Sequence, residues 1–223
     1  GASWQAEGTS ASAAPHPVTV LAMQLSQALN TKRIAATAQS KLDRLIYSIE
    51  SKLVRSYEAT VWAKFTRCIL IGKRDCDEIV AACRERNLPE IENVYFCAHG
   101  TDLARFTPVG PEKEEGRLLV FSGAMSTNTN AEAIKWFIVN VWPLLTARIP
   151  DIRLMVVGRR PRRDVLNLAK GDSRITVTGE VDDPAEFISR ASVCINPMQA
   201  GAGMQNKLIE YMAMGKAVVA TSI

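Results

Sequence analysis

The sequence predicts an α/β protein built on a doubly wound parallel sheet, with a remnant of another α/β unit ahead of it. Three observations predict this. From Arg117 onward, short apolar runs alternate with segments of helical period. Those runs are apolar on both faces, which suits strands of a parallel sheet covered by helices on each side. Glycine and proline stand where elements should stop or start, as with Gly171, Pro184 and Gly215.

Element by element, residues 1–39 open with "GASWQAEGTSASAAPHP", small, polar and broken by proline. They read as a disordered lead or an appended scar. Residues 40–66 carry Leu42, Leu45, Ile46, Ile49, Leu53, Tyr57, Val61 and Phe65 at i, i+3/i+4 spacing, the stripe of a long amphipathic helix. Lys41, Arg44, Lys52, Arg55, Glu58 and Lys64 lie off that stripe. The favoured reading is a helix packed through the stripe, with a membrane-surface helix as the other option. "RCILIG" follows as a buried strand and "RDCDEIVAACRER" as a helix. The charged "PEKEEG" at 111–116 is the best linker, separating a 40–110 unit with too few strands for a complete α/β domain from the regular strand–helix alternation at 117–223. In that unit "RLLVFSG", "IRLMVVG", "RITVTGEV", "SVCINPM" and "KAVVAT" are strands. "NAEAIKWFIVNVWPLLTAR", "RRDVLNLAK", "PAEFISRA" and "MQNKLIEYMAMG" are helices, the first holding Pro143 near its C-terminal third.

Composition narrows the function classes. The 223 residues carry a net charge of +4, too little to argue for nucleic acid. Five cysteines form no CxxC pair and have no histidine at metal spacing, so a reduced, cytoplasmic setting is expected and no metal site. Cys68 and Cys194 lie in strand-like runs and read as buried hydrophobes. No apolar stretch reaches the ~20 residues of a membrane span. Two histidines and no Ser-His-Asp constellation argue against a hydrolase.

Ligands of a doubly wound sheet sit beyond the carboxyl ends of the strands, where loops feed helix N-termini. Of the loops there, "QAGAGMQ" suits a diphosphate best. Gly201 and Gly203 let backbone N–H groups approach an anion, and the N–H groups up to Met204 lie at the positive end of the next helix. Lys207 stands about one turn in, and Glu210 one turn further could accept hydrogen bonds from ribose hydroxyls. The plain alternative is a tight turn, with Met204, Met212 and Met214 as packing. In "GRRPRR", Arg159 follows a strand-ending glycine and is the arginine placed near a ligand, while Arg160, Arg162 and Arg163 read as a solvated loop. A nicotinamide site lacks its glycine fingerprint, because "FSGAMSTNTN" holds a single glycine.

These residues resemble the C-terminal half of a GT-B glycosyltransferase, of the family 4 type found at exopolysaccharide loci. "NVYFCAHGTDLARFTP" resembles that family's interdomain crossover. "LLVFSGAMSTNTNAEAIKWF", "IRLMVVGRRP", "ITVTGEVDDPAEFISRASVCINP" and "GAGMQNKLIEYMAMGKAVVAT" follow in the family's order and spacing. The resemblance runs from about residue 40, and the closing motif is its most specific part. It implies a UDP- or GDP-sugar donor, a glycan or lipid-linked acceptor, and transfer with retention of configuration in polysaccharide biosynthesis, without a further cofactor. Gly203 and Lys207 would then face the diphosphate and Glu210 the ribose. Gly179, Glu180 and Val181 would line the base pocket, and Gly123 the mouth of the first strand. Lys207, Glu210 and Arg159 become the catalytic candidates.

Four positions depart from the family pattern. Ala202 stands where an earlier glutamate is usual, Ala124 follows Gly123 without the usual basic residues, His99 replaces the crossover asparagine, and Gly72 a serine. A two-domain transferase also has a fuller first domain and closing helices, so the resemblance predicts a partial chain, exposed apolar surface and self-association. Peripheral membrane contact stays open. The rival reading is a non-catalytic Rossmann-like module that binds a nucleotide or a protein, and an epimerase of the same architecture is the third.

Overall fold

The computed structural model describes residues 17–38, 40–89, 91–201 and 204–222, and arranges them around two parallel sheets. The first is built from β1 (Val20–Gln24), β2 (Arg67–Leu70) and β3 (Val94–Phe96), adjacent in chain order. Its helices are α1 (Gln27–Thr37), α2 (Lys41–Val61) and α3 (Lys73–Glu85). The second sheet holds β4 (Leu118–Ser122), β5 (Arg153–Val157), β6 (Ile175–Gly179), β7 (Val193–Asn196) and β8 (Val218–Ala220), in the order β6-β5-β4-β7-β8. Between them run α4 (Asn128–Asn140), α5 (Trp142–Arg148), α6 (Arg163–Lys170), α7 (Pro184–Ser189) and α8 (Asn206–Ala213). This is the doubly wound α/β class expected, with the strand order reversing direction between β4 and β7.

The period of two along β4 explains its position. Leu119 and Phe121 enter one apolar cluster with Ile134, Phe137, Leu154 and Val156. Leu118 and Val120 enter the other, with Ile188, Cys194, Tyr211 and Met214. Both faces are therefore buried, and each large apolar side chain so covered contributes about 1.5–3 kcal/mol relative to exposure. β4 and β5 run level from Leu118 opposite Arg153 to Ser122 opposite Val157, so their loops emerge side by side.

Several expectations need correction. The lead assigned to residues 1–39 contains β1 and α1, and the described part of it is ordered secondary structure from Val20. Residues 1–16 lie outside the described residues. Ser26 caps α1 through its side chain, while Glu58 of α2 accepts from Ser26 Oγ at 2.7 Å and from the Gln27 N–H at 2.7 Å. Asp75 accepts from the Ser26 N–H at 2.7 Å. Burial raises the Glu58 carboxyl above its ordinary value against the pull of those hydrogen bonds. α2 thus meets α1 through Ser51 and Glu58 and packs Ala59 against Ala82 and Cys83 of α3, and the apolar stripe from Leu42 to Tyr57 faces outward, each of its six residues at least half exposed. The hydrogen bonds of two polar residues that are buried, Ser51 and Glu58, decide the orientation here.

The single helix expected over 130–148 is two. α4 ends at Asn140, and α5 restarts with Pro143 in its first turn, where a missing N–H costs nothing. The 111–116 linker is stapled down: Glu114 pairs with the buried Lys216 at 2.7 Å, and Glu115 with Arg190 and Arg153. Cys68 and Cys194 are fully buried, and burial pushes the Cys194 thiol up to about 12. Met214 packs in the core, but Met212 is exposed.

Candidate functional site

A cleft of about 690 Å³ opens at the carboxyl ends of β4, β5 and β6, facing the N-terminus of α8. Two glycines set its floor. Gly123 and Gly158 end β4 and β5 with φ of 153° and 154°, values that side-chain-bearing residues rarely adopt. A Cβ on Gly158 would stand 1.8 Å from the Gly123 carbonyl oxygen, so only glycine lets these two loops touch. The loops are then tied by Gly123 N–H to the Val157 carbonyl at 2.9 Å and Met125 N–H to the Arg159 carbonyl at 3.0 Å.

Of the residues singled out from the sequence, Gly123, Arg159, Glu180, Val181, Met204, Lys207 and Glu210 line this cleft together. Met204, read as packing, is among them. Gly179 does not line it; it ends β6 and its carbonyl accepts from Gly158 N–H at 3.2 Å. Gly201 does not line it either, and its carbonyl accepts from the Arg33 guanidinium of α1. Gly203 and Ala202 lie outside the described residues. Arg162, read as a solvated loop residue, joins an ion cluster with Asp164, Glu132 and Lys135 on the far side of α4.

Lys207 is the unusual group. Its residue is 8% exposed, yet its ammonium has no carboxylate within salt-bridge distance among the described residues. Nζ donates to Asn130 Oδ1 at 2.6 Å, lies 4.5 Å from the Phe121 ring centre and 3.8 Å from Met198 Sδ. Burial pulls its pKa down to about 8, and the charge of Glu210 only partly opposes this. Glu210 is half-buried, and burial raises its carboxyl while Arg105 and Lys207 hold it down. Helix α8 starts at Asn206 with no side chain capping it; the Gln205 carbonyl accepts from the Leu208 N–H at 2.9 Å, and Gln205, Asn206 and Lys207 of this first turn line the cleft. The helix is moored by Tyr211, whose buried hydroxyl accepts the Ser122 N–H at 2.7 Å at the end of β4.

Sequence reasoning passed over Asn130, Ser122, Thr127 and Arg105, all of which line the cleft. Arg105 arrives from the crossover, pairs with Asp183 at 3.0 Å, and carries the only signal available beforehand: its place in the crossover motif, beside the buried Phe106. Asn130 has no such signal. A buried ammonium, a helix N-terminus and glycine-floored loops together suit a phosphorylated ligand. Among the described residues no three His, Cys, Asp or Glu side chains cluster to hold a metal ion, and no helix is long and apolar enough to cross a membrane.

Known proteins match this arrangement. Residues 116–223 match the family described as Glycosyl transferases group 1. A phosphatidyl-myo-inositol mannosyltransferase of Mycolicibacterium smegmatis is 31% identical over 132 residues, covering 56% of this chain and 33% of that protein. Staphylococcus aureus TarM, solved as a G117R mutant with fondaparinux, α-GlcNAc-glycerol and UDP, superimposes with a TM-score of 0.62 at 12% identity, over 90% of this chain and 36% of that one. WaaG, a glycosyltransferase involved in lipopolysaccharide biosynthesis, gives 0.59 at 13% identity, over 92% and 56%. The chain thus spans from a third to just over half the length of these proteins. Sequence match and fold agree: residues 116–223 are similar to the group 1 glycosyl transferases, and the chain shares the α/β fold of the glycosyltransferase structures it superimposes on.

Proposed function

We propose that the cleft binds the nucleoside diphosphate of a UDP- or GDP-sugar, and that the protein transfers the sugar, with retention of configuration, to a glycan or lipid-linked acceptor in polysaccharide or glycolipid biosynthesis. One observation carries this reading: Lys207, a buried ammonium with no neutralising carboxylate, beside the uncapped start of α8. A buried charge of that kind is costly unless an anion completes it. As the sugar leaves, negative charge grows on the diphosphate. Lys207, the α8 N–H groups and Arg159 would stabilise that charge more in the transition state than in the ground state. Glu210, one turn along α8, would accept from the ribose hydroxyls, while the loop at Glu180 and Val181 would receive the base. TarM holding UDP and the mannosyltransferase relative support the donor class.

Calorimetric titration tests it. UDP or GDP should bind, and Lys207→Ala or Glu210→Ala should each weaken binding by about tenfold or more, the worth of a charge-assisted hydrogen bond. No binding of either nucleotide or its sugars, or undiminished binding by both variants, would sink the donor site. Nucleotide binding without any release of diphosphate in the presence of acceptor mixtures would favour the non-catalytic module.

A further inference from the structure

Among the described residues Lys207 faces one protein oxygen at close range, and it is neutral: Asn130 Oδ1 at 2.6 Å, from a helix 77 residues earlier in the chain. The amide of Asn130 is not free to turn. Its Nδ2 donates to the Ala124 carbonyl at 3.1 Å, which fixes the oxygen toward the ammonium. The absence of a side chain at Gly123 makes room for this, because a Cβ there would stand 2.9 Å from Nδ2. The same asparagine therefore joins the β4–α4 loop, the N-terminal turn of α4 and the lysine of α8.

We propose that Asn130 is a positioning residue for Lys207: its amide oxygen keeps the ammonium aimed into the cleft and charged, without cancelling that charge. An aspartate here would pair with Lys207 and leave no net charge for an incoming anion. An apolar residue would leave a buried ammonium with only the Phe121 ring and Met198 sulfur as partners, a setting that favours shedding the proton. Asparagine is the middle case. The other charged groups around the cleft are Glu210 on the same helix, Arg105 from the crossover, Arg159 from the β5–α6 loop and Glu180 from the β6–α7 loop. None forms a salt bridge with Lys207 among the described residues; Glu210 acts on it through space, and Asn130 is the polar side chain in direct contact with Nζ. That this serves diphosphate binding rests on the donor reading; that it governs Lys207 does not.

The test uses the full chain with 13C-labelled lysine. The Lys207 signal is assigned by its loss in Lys207→Met, and its titration is followed by NMR without ligand. Asn130→Asp should raise the Lys207 pKa by about 1 or more, the usual effect of an adjacent opposite charge, and Asn130→Leu should lower it. UDP affinity at pH 7 should fall at least about tenfold in both, although the lysine is more fully charged in the first. A residue that merely supports the loop would move Lys207 the same way in both variants. Shifts of the same sign, or no shift in either, overturn the proposal. Should Asn130→Leu not fold, Asn130→Asp decides alone: fuller charging with weaker UDP binding supports the role, and an unmoved titration refutes it. If the wild type binds neither UDP nor GDP, the donor reading fails, and the ligand-free titrations still decide the role of Asn130.

Discussion

Replacing Lys207 with methionine should stabilise the protein while abolishing its hold on an anion. Burial lowers the lysine from 10.5 to about 8. One pKa unit corresponds to about 1.36 kcal/mol, so holding this side chain protonated at pH 7 disfavours the fold by roughly 3 kcal/mol. Methionine fills nearly the same stem volume and needs no desolvation. It forfeits the hydrogen bond to Asn130 and the contact with the Phe121 ring. Because Asn130 lines an open cleft that water can enter, that loss is about 1–2 kcal/mol. The net gain is about 1–2 kcal/mol, or a rise of about 3–6 °C in Tm for a chain of this size. The sign with pH is fixed. The folded pKa lies below the unfolded one, so between about 8 and 10.5 the unfolded chain binds more protons and wild-type stability climbs with pH. The advantage of Lys207→Met is therefore full below about pH 8 and gone near pH 10. Urea denaturation at pH 7 and pH 10 measures both values. A variant less stable than wild type at pH 7, or an advantage unchanged at pH 10, would refute the account.

Two further outcomes follow from the same geometry. Glu210→Gln should weaken UDP binding about tenfold, and removing the ribose hydroxyls from the ligand should cost the wild type a similar factor, with no further loss when both are combined. Additive losses would mean that Glu210 does not meet the ribose. The same variant should lose none of its stability, since the wild-type carboxyl is raised by burial and its ionised form is disfavoured in the fold above that pKa. Gly158→Ala should lower stability by about 2–4 kcal/mol in urea, because its Cβ meets the Gly123 carbonyl and its φ is unfavourable for alanine. A change within about 0.5 kcal/mol would show that the β4 and β5 loops are not packed this tightly.

What could be read from the sequence follows the range of the forces involved. The β4–β8 unit was legible because its strands are apolar on both faces and its helices are punctuated by Gly171, Pro184 and Gly215. Alternation of that kind survives any detail of packing. In the first unit α2, β2 and α3 were legible too, but β1 and α1 were not, and α1 depends on a partner far along the chain: Glu58, 31 residues from Gln27, satisfies its N-terminus. The same bond turns α2 so that Glu58 is buried while the stripe from Leu42 to Tyr57 faces outward, against the reading of that stripe as the packed face. Pro143 was visible, but not whether it would kink one helix or start another. In the site, Lys207 and Glu210 share one helix and one motif, so local spacing found them. Asn130 meets Lys207 only because the sheet places β4 between β5 and β7, and no spacing along the chain encodes that.

That strand order also explains why the chemistry collects here and not at another loop. β4 is the first strand of its unit and becomes the central one, so the chain leaves it toward α4 on one side and returns through β7 toward α8 on the other. The N-terminal turns of α4 and α8 meet over its carboxyl end, and the Tyr211 hydroxyl on the Ser122 N–H fixes their spacing. A cation placed on either helix there is buried by the other, which is where Lys207 sits. Elsewhere in the unit such charge is neutralised: the buried Lys216 has Glu114, and the partly buried Lys135 has Asp164 and Glu132. Lys207 is set apart by having Asn130 where those lysines have carboxylates. The fold bears that unfavourable charge with the well-packed clusters on both faces of β4. A negatively charged ligand bound beside Lys207 would offset that cost and stabilise the fold by linkage.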